Sequence, residues 1–293
     1  MIDKLEYFIA LASERHFGRA AERLGITQPT LSAGLRHLEE QLGVTLVNRG
    51  SRFQGVTAEG ERVLAWARRI VGDVRSMRDE IASGRAQLSG TLRIAVIPTA
   101  LAVVSRLTTP FHDKHPDVAY DIQSMTSADI AQGVEDFEVD IGLTYIEDER
   151  VRRLDSRFLY AERYCLVTTE GNAFSERAEV SWAEVASIPL CLLSSSMQNR
   201  RILDRHLTAE GRQVRTILES NSMVALITHV RTGRFATIMP LRTAEILRFG
   251  APIVMVPIGG GVSYRIGLVT ARRAPRPALI EAFWNEVAAI GLA

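Results

Sequence analysis

Over residues 1–54 the apolar positions recur at helical spacing and never alternate as a strand would. Leu5, Phe8, Ile9 and Ala12 share one helical face, and Ala20, Ala21 and Leu24 share a second. Gly25-Ile26-Thr27 interrupts the pattern, and Leu31, Leu35, Leu38 and Leu42 resume it at steps of four, three and four. Thr27 stands where an N-cap belongs. Pro29 falls in the first turn, where an amide needs no intrahelical acceptor, so a third helix is predicted from near Gln28 to Gly43. The stretch Thr45–Thr57 reads as two short strands about an Asn/Gly/Ser turn, a candidate wing.

From Thr57, a candidate N-cap, to Gly84 the chain is rich in Ala, Arg, Glu, Val and Ile. A helix of that stretch would be roughly 40 Å long at about 1.5 Å per residue. Val63, Ala67, Ile70, Val74, Met77 and Ile81 recur at steps of four, three, four, three and four, the a/d spacing of a coiled coil. So short a run also suits an amphipathic helix packed on its own chain. Its place between a small module and the hinge-like Ser83-Gly-Arg-Ala-Gln-Leu-Ser-Gly90 segment favours a seam between chains.

After Gly90 short apolar runs alternate with helical patterns. Strands are predicted at Leu92–Ile97, Tyr120–Ser124 and Asp140–Leu143, with helices over 100–114 and 127–137 between them. A second series follows: Tyr164–Thr168, Pro189–Leu193, helix 197–210, Ile217–Glu219, helix 222–232 and Ala236–Met239. Ile253–Val256 and Tyr264–Thr270 add strands, and Pro277–Ala289 closes with a helix. The pattern is α/β, in two lobes, behind an N-terminal winged helix-turn-helix and a long linker helix.

The 293 residues, 46% hydrophobic and 24% charged, have an average globular composition, which excludes collagen-like and disordered classes. No run of about 18 apolar residues occurs and the N-terminus has no basic region leading into an apolar one, so a cytoplasmic protein, neither membrane-spanning nor exported, is expected. Cys165 and Cys191 sit in apolar runs without CxxC or histidine at ligand spacing, which argues against zinc and against a disulfide framework. They read as buried inert thiols or, alternatively, as a redox-sensing pair. No GxSxG, GxxxxGK[ST] or HExxH occurs, the six histidines are scattered, and Gly259-Gly-Gly261 reads as a connecting turn, so no enzyme is expected.

The formal net charge of +1 conceals a local excess: between Arg15 and Arg52, six arginines face Glu22, Glu39 and Glu40. With Leu31 and Leu35 buried, Gln28, Pro29, Thr30, Ser32, Ala33 and Arg36 are left on the outer face of a helix start. There Gln and Ser can donate to and accept from base edges, and Arg36 can reach guanine or a phosphate. Arg49, Arg52 and Thr57 flank the wing, where phosphate contact is the usual role. The expected macromolecular partner is double-stranded DNA.

In the second half, Thr99, Ala100, Ser127, Thr144, Ser194, Ser195 and Asn221 fall at strand-to-helix junctions or strand ends, where open α/β sheets bind ligands. Any one of them could be a simple N-cap. As a cluster of hydroxyls and helix N-termini they suit a small anionic metabolite. No metal or resident cofactor is expected.

Phe17–Leu24, Thr27-Gln-Pro-Thr-Leu-Ser32, Leu38-Glu-Glu-Gln-Leu-Gly43, Leu46-Val-Asn-Arg49 and Val56-Thr-Ala-Glu-Gly60 together resemble the LysR-type transcriptional regulators. The resemblance implies a winged helix-turn-helix domain at 1–58 and a linker and dimerisation helix with its hinge at 59–89. It also implies a periplasmic-binding-protein-like effector domain at 90–293. Lobe I would comprise 91–161 with 267–293 and lobe II 162–266, joined by crossovers near Ala161–Arg163 and Tyr264–Ile266. Thr99, Ser127 and Ser194 match the family's commonest effector positions. A homotetramer built as a dimer of dimers, a small-molecule effector and RNA polymerase as a candidate partner follow from the same resemblance. Ala33-Gly34 in the third helix and Asn48-Arg49-Gly-Ser-Arg52 in the wing depart from the family pattern and leave the target sequence open. A small-molecule binding or transport protein, the rival from another class, leaves residues 1–54 without a purpose.

Overall fold

The structure, a computed structural model, describes residues 1–49, 53–82, 88–209, 214–248, 250, 252–287 and 290. The chain divides into two compact units: Met1–Gln87 with Asp136–Glu138, and Leu88–Glu135 with Val139–Ala293.

The first unit opens with α1 (Ile2–Glu14), which buries Leu5, Phe8, Ala10 and Leu11 and stops at Arg15 in the left-handed region. The His16 imidazole caps α2 (Phe17–Arg23), its Nδ1 accepting from the amides of Gly18 and Arg19 at 3.1 and 3.3 Å. Ala20 and Ala21 are buried where α2 meets its neighbours. Thr27 Oγ1 accepts from the Thr30 amide to cap α3 (Gln28–Leu42), whose Leu31, Leu35 and Leu38 are buried and which ends at Gly43 with φ 67°. Leu42 is the exception to the expected stripe: it lies at the last turn, 40% exposed.

The wing is the antiparallel pair β1 (Val47–Arg49) and β2 (Phe53–Val56), with Val47 opposite Val56. Glu39 Oε1 accepts from the amides of Leu46 and Val47 at 2.8 and 3.4 Å, which ties the wing to α3. Thr57 Oγ1 accepts from the Gly60 amide at 2.9 Å and donates to the Thr45 carbonyl at 2.6 Å, so one hydroxyl starts α4 (Ala58–Ala82) and anchors the wing. Leu64, Ala67 and Val71 of α4 join the core of the unit.

Among the described residues the second unit carries one nine-stranded sheet. β3 (Gly90–Val96), a 3-10 helix at Pro98–Val103, α5 (Ser105–Lys114), β4 (Val118–Ser124), α6 (Ser127–Glu135) and β5 (Ile141–Tyr145) form a parallel β4-β3-β5 lobe. The single helix expected over 100–114 is thus a 3-10 turn followed by an α-helix. A 3-10 turn at Glu149–Arg153 leads into β6 (Asp155–Thr169), which starts nine residues before the expected Tyr164.

α7 (Trp182–Ala186), β7 (Leu190–Leu193), α8 (Gln198–Leu207), β8 (Thr216–Ser220), α9 (Met223–Val230), β9 (Ala236–Pro240) and α10 (Leu241–Leu247) build the second lobe on the parallel strands β8-β7-β9. α7 and α10, five and seven residues long, are too short for periodicity to reveal. β10 (Ile253–Pro257), β11 (Ser263–Thr270) and α11 (Ala278–Val287) complete the chain. β11 pairs antiparallel with β5 and with the first half of β6, from Thr270 opposite Asp155 to Ser263 opposite Arg163. The second half of β6 pairs with β9 and β10.

Gly34 and Gly60 allow close helix approach in the first unit. A Cβ on Gly34 would meet Tyr7 Cδ2 at 2.6 Å, and one on Gly60 would collide with the Leu46 carbonyl and lie 2.6 Å from Val56 Cγ1. Gly60→Ala is therefore expected to destabilise the protein by about 1–3 kcal/mol in urea unfolding, although Gly to Ala in an open helix stabilises by roughly 1 kcal/mol.

Candidate functional site

α3 presents a polar surface because its core stripe uses one side of the helix only. Gln28, Pro29, Thr30, Ala33 and Arg36 are exposed and Ser32 is half-buried. Arg36 Nε donates to the Ser32 carbonyl at 3.3 Å, which aligns the guanidinium along the helix face. Thr30 Oγ1 lies 2.8 Å from Thr27 Oγ1 within the cap. Gly34 faces Tyr7 rather than the outer surface, so its departure from the family pattern reflects helix packing. Thr57 is corrected from a phosphate contact to a structural cap, because its hydroxyl already donates to Thr45 and accepts from Gly60. Arg49 closes β1, and Arg52 lies outside the described residues. Arg19 and Arg23 hold Glu14 at 3.7 and 3.3 Å, which lowers the free positive charge of this surface.

On α4, Ala67 is fully buried in the core of its own unit and leaves the expected seam; Val63 packs partly against the same core. Ile70, Met77 and Ile81 are exposed at 40%, 51% and 73%, with Val74 half-buried. Trp66, four residues before Ile70 and 63% exposed, joins that face. A pattern search that fixes Ala67 at a core position passes over it. The hinge segment expected at 83–90 lies outside the described residues from 83 to 87.

In the second unit, Val96 pairs with Ser124 and with Leu143, so the C-terminal ends of β3, β4 and β5 lie at one level. Thr99, Ala100, Ser127 and Thr144 follow or close those ends and are all buried. The hydroxyls of Thr99, Ser127 and Thr144 have no hydrogen-bond partner. Thr126, not Ser127, caps α6, its Oγ1 accepting from the Asp129 amide at 3.2 Å, so capping does not consume the Ser127 hydroxyl. Thr99 sits inside a 3-10 turn and Ser194 four residues before α8, so neither occupies the helix N-terminus expected of it. Leu193 pairs with Ser220, which places half-buried Ser194 beside exposed Asn221 at the edge of the second lobe; Ser195 is exposed.

A buried polar chain crosses the sheet near Thr99. Tyr160, Glu162 and Tyr164 alternate onto one face of β6, Tyr264 lies opposite Glu162, and Ile266 lies opposite both Tyr160 and Tyr145. Tyr145 Oη donates to Glu162 Oε1 at 2.9 Å. Tyr164 Oη lies 3.3 Å from Tyr145 Oη, and Asn199 Nδ2 donates to Tyr164 Oη at 3.1 Å. The donors therefore run in one direction, from Asn199 to the carboxylate. Glu162 is 2% exposed, and its Oε2 has no partner. Burial pushes its carboxyl up to about 7, against the pull of the Tyr145, Tyr164 and Thr99 hydroxyls. Thr99 Oγ1 is near enough to favour the charged form but makes no aligned hydrogen bond.

A strand predicted to start at Tyr164 leaves Tyr160 and Glu162 out; the alternation Tyr160-x-Glu162-x-Tyr164 is the signal that finds them. Tyr145 and Tyr264 also wall a cavity of about 660 Å3, with Glu147, Gln198, Arg201 and Arg205 on its sides.

Cys165 and Cys191 are buried and free. Burial pushes the Cys165 thiol up to about 12 and raises that of Cys191. Cys165 pairs with Met239 and Cys191 with Thr237, so β9 runs between them and their Cα atoms are about 10 Å apart or more, beyond disulfide reach. Among the described residues no cluster of metal ligands occurs, and no helix is long and apolar enough to cross a membrane.

Two family models match the chain: the LysR substrate binding domain over residues 85–290, and the bacterial regulatory helix-turn-helix protein, lysR family, over residues 2–61. YfeR of Shigella flexneri, an uncharacterized HTH-type transcriptional regulator, is 26% identical over 288 residues, which cover 98% of this chain and 92% of that protein. A full-length OxyR variant from Pseudomonas aeruginosa shares the fold with a TM-score of 0.74 at 22% identity, over 99% of this chain and 96% of that one. Full-length CbnR complexed with its target DNA shares it with a TM-score of 0.66 at 21% identity, over 98% of each chain. The chain belongs to the LysR family of bacterial helix-turn-helix regulators and is a DNA-binding transcriptional regulator with an α/β effector-binding domain.

Proposed function

We propose that Gln28, Thr30, Ser32, Ala33 and Arg36 read base edges in the major groove, with Pro29 setting the helix start and Arg49 and Arg52 holding phosphates. The observation that carries this reading is the capped start of α3, where Gln28, Thr30, Ala33 and Arg36 are exposed while Leu31, Leu35 and Leu38 are buried. The solved complex of CbnR, which shares this fold, with its target DNA supports DNA as the partner. The domains of the proposal are 1–58, 59–89 and 90–293. The protein works in the cytoplasm and catalyses no reaction. A small molecule held near Thr99, Ser127 and Thr144 changes DNA affinity through the different affinities of two effector-domain arrangements for it. Gln28→Ala is expected to cost about 1–3 kcal/mol on the cognate operator and little on random DNA, measured by titration of labelled duplexes. Equal losses on both would remove Gln28 from base reading.

The exposed stripe Trp66, Ile70, Met77 and Ile81, with Val74, supports assembly through α4 and, with a second contact, a dimer of dimers. Ile70→Asp should dissociate the dimer in sedimentation velocity and abolish operator binding.

Burial and separation of Cys165 and Cys191 weigh against the thiol-sensing alternative. A thiol-specific colorimetric reagent should label neither cysteine in the native protein and both after denaturation, and hydrogen peroxide should leave operator affinity unchanged.

A further inference from the structure

Glu162 Oε2 and Arg242 Nη1 are both shut off from solvent, and neither has a hydrogen-bond partner. They bear opposite charges and flank one ring. The Arg242 guanidinium lies 5.1 Å from the Tyr160 ring centroid, and Glu162 is two residues from Tyr160 on the same strand face, about 6.6 Å along β6. Among the described residues the two form no ion pair with each other. Thr99, whose Oγ1 is also without a partner, is fixed beside them, since Thr243 Oγ1, on the residue after Arg242, donates to the Thr99 carbonyl at 2.5 Å.

A buried carboxylate oxygen without a donor and a buried guanidinium N–H without an acceptor each cost free energy, and a ligand that meets both removes both costs. An anion alone would leave Glu162 unmet and bring a second negative charge toward it. An amine alone would do the same to Arg242 with the opposite sign. We propose that the effector is a small zwitterion, its ammonium on Glu162 Oε2 and its carboxylate on Arg242 and the Thr99 hydroxyl. This rests on the effector-binding reading above and replaces the plain anion expected from the sequence.

Proton release follows from the same geometry. The titratable groups around Glu162 are Tyr145 of β5, Tyr160 and Tyr164 of β6 and Tyr264 of β11; Arg242 of α10 lies on the Tyr160 ring, and His206 of α8 is hydrogen-bonded to Tyr264 at 2.8 Å. Burial raises all four tyrosines and lowers His206, so Glu162 is the group of this cluster that changes charge near neutrality. Because burial raises its carboxyl, Glu162 can hold a proton near neutrality, and an ammonium docked there expels it.

The test uses the full chain and matched sets of compounds at millimolar concentration: the protein amino acids and glycine betaine, the amine-free carboxylates of the same skeletons, and their carboxylate-free amines. Thermal stability and operator affinity are the readouts. At least one zwitterion should raise Tm and shift operator affinity while its matched acid and amine do neither. Calorimetry of that zwitterion in buffers of different ionisation enthalpy should show proton release, and Glu162→Gln and Arg242→Gln should each weaken it about tenfold or more. Circular dichroism of the ligand-free variants checks their fold, and the analogue comparison and proton count on the unaltered protein stand whether or not they fold. Binding of amine-free acids as strong as that of zwitterions, or proton uptake, would overturn the zwitterion assignment while leaving the effector reading intact. No response to any set from protein that still binds its operator would overturn both.

Discussion

The effector domain depends on one strand serving two neighbourhoods. β6 runs fifteen residues without a break, and its hydrogen bonds pass from β11 to β9 and β10 between Arg163 and Tyr164. A strand can change partners in this way only if its inward side chains suit both lobes. The residues at the change are Glu162 and Tyr164, not aliphatic ones. Tyr145 reaches Glu162 from the first lobe and Asn199 reaches Tyr164 from the second, so the lobes are joined by backbone ladders and by a directed chain of hydrogen bonds. The acceptor at the end of that chain is a carboxyl group held out of water, where its charged form is disfavoured and any donor brought to it gains strength.

The helix-turn-helix unit is held differently, by single polar groups that tie backbone ends together. His16, Thr27 and Thr57 each accept from amides at a helix start, and Glu39 takes the two amides that lead into the wing. The wing therefore hangs on the same helix that presents Gln28 and Arg36. Gly34 and Gly60 let that helix and α4 approach Tyr7 and Leu46 closely. The outer face of α3 then carries polar side chains with no part in the core, which leaves them available for recognition.

Hydroxyls at the strand ends differ from ordinary caps by being buried and unused. Thr126 takes the capping role beside Ser127, and the amide that Thr144 would cap does not exist on a strand. Their hydrogen-bonding capacity exceeds what the protein itself satisfies, as does that of Glu162 Oε2 and Arg242 Nη1.

The sequence alone determined the helix-turn-helix, because Leu31, Leu35 and Leu38 at helical steps, a Thr27 cap and Gly43 are local signals that tertiary packing did not contradict; the family was legible only through the resemblance of its motifs. It also determined the α/β alternation and most strand centres, since a four-residue apolar run such as Leu190–Leu193 carries its own pattern. Only the tertiary structure decided which exposed-looking or apolar positions were already spoken for. Ala67 is fully buried in its own core, Thr57 is consumed by two backbone groups, and Leu42 and Trp66 face outward. Only it placed Glu162, Arg242 and Asn199 near Thr99, because they come from β6, α10 and α8, and no spacing along the chain records which strands become neighbours. A local pattern states which side of an element is apolar. Which polar atoms end up buried without a hydrogen-bond partner is settled by sheet order and register, and these are properties of the folded chain.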